Sequence, residues 1–489
     1  MADNRINRVY VADADGGNAR AVTGGPVSAP ALYNAGYLDF ALSPDGEYCV
    51  SMSLDSMPLV RTNTDLYLAD GADAEFRRLT DNPALDGTPR YSPDGRYLAY
   101  LATKRLGYES DQWDLMLLDR QSKATRNLTE TFDRSVSEYV WGPKSKQIYL
   151  LAVNHGHEGL WVLNVPDGKM KLLLDDAVYS GLAVSPNGKF VVLNRTLPNQ
   201  PSELYRYDLG SAKLTRLTHV TEPVTAHVDF SRYEEFWYPG MLGDSIHATI
   251  TYPPGYDASQ KYPLVLLIHG GPQWAWLNDF NYYGWNTQLV AAQGYIVAQF
   301  DPHGSLGYGI KFKEQVSRDW GGTDYHDLMM GIDYVLAHYP AIDSTRMAAL
   351  GRSYGGFMVN WINGHTNRFR CLIGIDGTSN STSFYGSTDE LWFPEWDVGG
   401  TPWENPEEYV RTSPITYAEN MSTPQMLIHG KNDYRVDLSE GLQMFTTLQR
   451  QGIPSQLLYL PNEGHNAHRL DNLRVIYDEQ FKWLARWLR

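Results

Sequence analysis

Three side chains in this sequence have the types and the order that acyl transfer requires. Ser353 lies in Gly351-Arg352-Ser353-Tyr354-Gly355, at the end of the apolar run Met347-Ala348-Ala349-Leu350. Asp433 and His465 follow it, each just past another apolar run. A serine hydroxyl is a weak nucleophile until a base takes its proton and an acid orients that base. Glycines two residues either side of a serine, between a strand and a helical segment, make a turn sharp enough to expose the hydroxyl. A Cβ at Gly351 or Gly355 is expected to collide with neighbouring chain. Taken alone, Asp433 reads equally as a turn residue and His465 as a loop histidine. Their order after Ser353 favours orienter and base. His269, His429 and His468 stand at positions that do not fit this order.

Attack on a carbonyl also needs donors for the developing oxyanion. The glycine-rich stretch His269-Gly270-Gly271-Pro272 follows a long apolar run, so the Gly271 and Tyr354 N–H groups are assigned as those donors. For the substrate, Asp389, Glu390 and Glu395 could hold a free amine, since a partly desolvated carboxylate pairs strongly with one. Trp274, Trp276, Phe384, Tyr385 and Trp392 could line a side-chain pocket, and Arg435 is a further candidate contact. The plainer readings are surface charge for the acids and core packing for the aromatics.

The elements needed to position these groups are legible in the second half of the chain. Continuous apolar runs at 262–269, 295–300, 347–350, 371–375, 425–429 and 456–460 read as strands buried on both faces. Helical spacing at 325–338 and 438–451 fills gaps between them. Alternation of this kind predicts a mostly parallel, doubly covered sheet. Segments 234–238 and 246–250 predict a hairpin that leads into it.

The first half repeats instead. Ser43-Pro44-Asp45-Gly46, Ser92-Pro93-Asp94-Gly95, Gly142-Pro143-Lys144-Ser145 and Ser185-Pro186-Asn187-Gly188 recur at intervals of 43 to 50 residues, each a turn flanked by strands. Further strands such as 114–119 and 203–208 complete each unit. The period predicts four-stranded propeller blades. Four units are complete, and 8–13 with 22–23 supply two strands of another, making about four and a half blades. The predicted fold is therefore an incomplete N-terminal β-propeller over 1–220 and a C-terminal α/β-hydrolase over 221–489. The unpaired edge of the partial blade predicts self-association into a homo-oligomer.

A chain of 489 residues exceeds what one core usually holds, in keeping with two domains. Its formal charge of −16 argues against a nucleic-acid partner. The first ten residues are polar and nowhere is there an apolar run of membrane-spanning length, so the expectation is a cytoplasmic chain with no membrane partner. Cys49 and Cys371 fall in different predicted domains, which speaks against a disulfide, and neither has the neighbours of a metal site. No cofactor or metal is expected.

Six stretches of the second half stand out together: His269-Gly270-Gly271-Pro272, Asp301-Pro302-His303-Gly304-Ser305-Leu306-Gly307-Tyr308-Gly309, Asp319-Trp320-Gly321-Gly322, Gly351-Arg352-Ser353-Tyr354-Gly355-Gly356, His429-Gly430-Lys431-Asn432-Asp433-Tyr434-Arg435-Val436 and Glu463-Gly464-His465. In them this half resembles the prolyl oligopeptidase family of serine peptidases. The stretch from Phe393 to Asp397, with Gly399-Gly400-Thr401-Pro402-Trp403-Glu404-Asn405-Pro406, further resembles its dipeptidyl-peptidase V and acylaminoacyl-peptidase branch. That resemblance implies hydrolysis of short peptides, with the propeller screening out large folded substrates. It also implies seven or eight blades, more than the repeats supply. Release of dipeptides from free N-termini is the first expectation. An acylaminoacyl-peptidase or esterase of the same fold is a rival, and so is a non-catalytic propeller scaffold.

Overall fold

The computed structural model describes residues 6–25, 28–30, 39–53, 62–69, 76–280 and 285–489. The chain divides into two compact units, one of residues 1–195 with 203–219 and the other of 196–202 with 220–489. The repeat period puts the boundary at 220; in the structure residues 196–202 also go with the second unit.

The first unit is built from antiparallel strands. Phe40–Leu42, Tyr48–Met52, Asp65–Ala69 and Arg77–Arg78 make one four-stranded sheet, and Asp86–Tyr91, Tyr97–Ala102, Asp114–Asp119 and Thr125–Asn127 the next. Val136–Trp141, Gln147–Asn154, His157–Asn164 and Met170–Leu174 form a third set of four. It is joined by a parallel bridge between Glu158 and Val178 to a fourth, Val178–Val184, Phe190–Leu197, Gln200–Asp208 and Lys213–Arg216. Tyr10–Val11 and Arg20–Ala21 pair separately.

The repeated turns share one geometry. Gly46, Gly95 and Gly188 donate their N–H to the carbonyl three residues back at 2.8–3.0 Å, all with φ between 66° and 92°. Ser145 makes the corresponding bond at 3.1 Å with φ 57°, a conformation that costs a serine more than a glycine. Apolar side chains from adjacent sheets, such as Leu115 and Leu117 with Tyr139, Trp141 and Leu150, form the core between them.

The second unit is an eight-stranded sheet. In chain order its strands are β1 (Tyr233–Pro239), β2 (Ser245–Thr251), β3 (Tyr262–Ile268), β4 (Ile296–Asp301), β5 (Ile342–Arg352), β6 (Cys371–Ile375), β7 (Gln425–Gly430) and β8 (Ser455–Leu460). Their spatial order is β1-β2-β4-β3-β5-β6-β7-β8, antiparallel for the first two pairings and parallel from there on. The central strands are apolar throughout because both faces are covered. Leu264, Leu266 and Ala349 face one helical layer, while Val265, Leu267, Ala348 and Leu350 face the other.

Helix Thr323–His338 covers the first face. The C-terminal helix Leu470–Leu488 covers the second, burying Ile476, Gln480, Trp483, Leu484 and Leu488 at helical spacing. Helix Leu438–Arg450 starts where the Asp437 carboxylate accepts the Ser439 N–H at 2.9 Å, and it ends before Gly452 at φ 69°. Among the described residues no helix is long and apolar enough to cross a membrane.

Candidate active site

Parallel strands bring the loops that follow them to one edge of the sheet, and Ser353, Asp433 and His465 meet there. Ser353 follows β5 and precedes helix Tyr354–His365, with φ 57° and ψ −120°. Neighbouring glycines permit this strained turn. A Cβ on Gly351 would lie 1.9 Å from the Gly355 carbonyl oxygen, and one on Gly355 would lie 2.2 Å from that of Ile268. Gly356 packs as closely, its Cβ position 2.6 Å from the Ile375 oxygen.

His465, on the loop after β8, places Nε2 2.8 Å from Ser353 Oγ. Its Nδ1 lies 2.7 Å from Asp433 Oδ2, on the loop after β7. The tautomer that satisfies both contacts carries its proton on Nδ1 and leaves Nε2 free to accept from the hydroxyl. Asp433 is fully buried, and its Oδ1 accepts the N–H groups of Arg435 at 3.0 Å and Val436 at 2.9 Å. Its carboxylate is thereby held by backbone on one side and turned to the imidazole on the other.

Tyr354 follows the serine in the chain, and Gly271 stands after Gly270 on the loop that follows β3. Gly270 abuts it, a Cβ there falling 3.3 Å from Ser353 Cβ, and Gly271 has φ 119°. Tyr354 opens its helix, so its N–H has no intrahelical acceptor. The loop carrying Gly271 is fixed by Gln273, whose amide donates to the buried Asp397 carboxylate at 3.0 Å. The Tyr354 side chain is fixed in turn by a hydroxyl bond to Asp324 and by the edge of Trp320, 4.8 Å between ring centres. Burial pushes the Asp324 carboxyl up to about 7.

Two residues that sequence order did not single out complete the surroundings. Arg352 donates to the His465 carbonyl oxygen, and its Nε lies 3.8 Å from Asp376 Oδ2. Asp376 follows β6 with φ 48°, buried, its Oδ1 accepting the Gly430 N–H at 3.2 Å. Burial, with the Asp433 carboxylate nearby, pushes its carboxyl up to about 7 against the pull of His465 and Arg352. Only the position of Asp376 just past a buried strand could have flagged it. Asp376, His429 and Asp433 offer ligand-type atoms within 4.8 Å of one another, but His429 Nε2 bonds the Val436 carbonyl oxygen at 2.8 Å. His269 is likewise bonded inward, 3.1 Å from Ser305 Oγ.

The candidate substrate groups divide. Arg435 pairs with Asp389 at 2.8 Å and with the buried Glu390 at 2.9 Å, so these three form one cluster beside Asp433. Glu395 stands apart and accepts the Tyr385 hydroxyl at 2.8 Å. Trp392 and Phe384 are core residues, whereas Trp274 is 59% exposed.

A model of the prolyl oligopeptidase family matches residues 280–489. Dipeptidyl-peptidase 5 of Porphyromonas gingivalis is 32% identical over 475 residues, 95% of this chain and 69% of that protein. Dipeptidyl-peptidase 5 of Schizosaccharomyces pombe is 33% identical over 461 residues, 93% of this chain and 66% of that protein. The chain thus spans about two thirds of the length of these relatives, 66–69%. The acylaminoacyl peptidase of Pyrococcus horikoshii has the same fold, with a TM-score of 0.80 at 23% identity over 92% of this chain and 70% of that one. The elbow serine, the loops after β7 and β8 and the likeness along nearly the whole chain lead to one conclusion: the chain belongs to the prolyl oligopeptidase family.

Proposed function

We propose that this protein is a serine peptidase that releases dipeptides from the free N-termini of short peptides. The observation that carries the reading is the continuous line of contacts from Ser353 Oγ to His465 at 2.8 Å and from His465 to Asp433 at 2.7 Å. In this reading Ser353 Oγ attacks the scissile carbonyl carbon while its proton passes to His465 Nε2. Asp433 holds the ring and stabilises the imidazolium. The N–H groups of Gly271 and Tyr354 receive the oxyanion. His465 then returns the proton to the leaving nitrogen, the C–N bond breaks, and water repeats the sequence on the acyl-enzyme.

The dipeptide preference is supported by the dipeptidyl-peptidase 5 relatives and by the acids beside Asp433. Of these, Glu390 is buried and paired with Arg435 at 2.9 Å. Arg435 already neutralises Asp389 and Glu390, and this observation favours a second reading, an acylaminoacyl peptidase in which Arg435 faces a blocked N-terminus. We read the first unit as four complete propeller blades and part of a fifth, its sheets supporting that count. Two buried free thiols, Cys49 and Cys371, support a reducing, cytoplasmic setting.

A dipeptidyl chromogenic substrate and its N-acetylated form, each assayed with the wild type and with Ser353→Ala, test the proposal. Cleavage of the free-amine form alone, lost in the variant, is expected. Equal cleavage of both forms would favour the acylaminoacyl reading.

A further inference from the structure

A cavity of about 170 Å³ lies within the second unit, beside the trio. Its walls include the immediate neighbours of the reacting groups: Gly270 against Ser353, Arg352 before it, and Gly464 before His465. The remaining walls are mostly apolar, with Ile375, Leu460 and Ile476 among them. Neither Tyr354, Arg435 nor any residue of 384–396 lines it. Of the residues read above as candidate substrate contacts, Trp274 and Trp276 line it, and the acids read as holding the amine do not.

From this geometry we infer that the cavity receives the first residue of the leaving peptide, and that this residue is apolar; the inference rests on the peptidase reading above. The side is dictated by proton transfer. His465 Nε2 takes the Ser353 proton and must hand it to the leaving nitrogen, so the leaving chain departs past the loop that carries His465. The end of β8, that loop and the helix after it line the cavity through Leu460, Gly464, Ala467 and Ile476. A cavity of about 150 Å³ lined by aliphatic side chains is enough to hold benzene, so this one suits a side chain of leucine or phenylalanine size.

Two buried donors sharpen the choice of occupant. Among the described residues neither Trp276 Nε1 nor Gln480 Nε2 has an acceptor, although Gln480 Oε1 takes the Trp285 N–H at 2.9 Å. Both side chains line the cavity. Buried donors of this kind call for an oxygen, and a peptide residue brings its own carbonyl beside an apolar side chain.

The test is partition of the acyl-enzyme. A dipeptidyl methyl ester loads Ser353 with release of methanol, and the acyl group then passes either to water or to an added amino-acid amide. In the second route the amine nitrogen attacks the acyl carbon, its proton moves through His465 Nε2 to Ser353 Oγ, and the C–Oγ bond breaks as a peptide bond forms. Leucinamide and phenylalaninamide are expected to compete saturably, at least about tenfold better than glycinamide, the scale of burying one such side chain.

Ala467→Trp, on the partly exposed histidine loop, and Ile476→Trp, deeper in the cavity, should each reduce that preference to within about twofold. Equal partition to glycinamide and leucinamide in the wild type would overturn the inference, as would a preference that survives both variants. If no acyl-enzyme forms from the ester, the peptidase reading fails at that earlier step and the inference falls with it.

Discussion

Arg352 holds the backbone of His465: its guanidinium donates to the His465 carbonyl oxygen, tying the residue before Ser353, the proposed nucleophile, to the proposed base. Asp376 stands behind that contact, 3.8 Å from Arg352 Nε and bonded to Gly430 at the end of β7. The loop after β8 is thus tied to the ends of β5, β6 and β7 through one cation. Arg352→Gln should lower kcat roughly tenfold with KM nearly constant, because the imidazole is misplaced while substrate contacts remain. Steady-state kinetics would show it. A change confined to KM would mean that Arg352 contacts substrate instead.

Asp376 sets a pH dependence whose sign can be worked out. Its carboxyl, raised to about 7 by burial, keeps a proton in the folded state that the unfolded chain releases near pH 4. Between about pH 4 and 7 the folded state therefore binds more protons, and this residue's contribution to stability declines as pH rises through that window. Above it the contribution is level. Asp376→Asn should flatten the profile, so that its urea midpoint gains on the wild type as pH climbs from 4.5 to 8. Parallel profiles would show that Asp376 titrates as an exposed acid does.

Asp433→Asn separates orientation from folding. Asparagine keeps an oxygen that can accept the Arg435 and Val436 amides, but it presents an NH₂ to His465 Nδ1 and favours the wrong tautomer. Turnover should drop by about 10⁴ while the melting temperature moves little. Near-normal turnover would pass the role to another acid, with Asp376 the first to examine.

Arg435→Ala tests the choice between the two substrate readings. Removing the guanidinium frees Asp389 and Glu390, so a free-amine substrate should bind with lower KM and an N-blocked one with higher KM. Equal shifts for both substrates would show that the cluster does not face the N-terminus.

The fold was legible wherever the chemistry is periodic. Runs at 371–375 and 425–429 read as buried strands because nothing polar interrupts them, and they appear as Cys371–Ile375 and Gln425–Gly430. The contacts from Ser353 to His465 and Asp433 were legible because strand ends in a parallel sheet share an edge. What sequence did not disclose was pairing. Asp389 and Glu390 read as free acids, yet both pair with Arg435, far along the chain, and the Asp389 N–H bonds the Tyr434 carbonyl oxygen at 2.9 Å beside that pairing. Asp376 and Arg352 were silent for the same reason. A buried acid carries no periodic mark, and an arginine inside a glycine-framed motif reads as filler until its partner is seen.

The packed glycines of the elbow have a last consequence, for how this stretch tolerates change. Alanine at 351 would put its methyl 1.9 Å from a carbonyl oxygen, at a cost of at least about 3 kcal/mol. Positions 355 and 356 are blocked by backbone in the same way. A saturation library across 351–356, selected only for folded protein, should therefore return glycine alone at 351, 355 and 356. Serine at 353 should yield to alanine without loss in that selection, because its demand is chemical and not steric. The proposed nucleophile would thus give way to alanine in the fold, whereas the glycines around it would not give way at all.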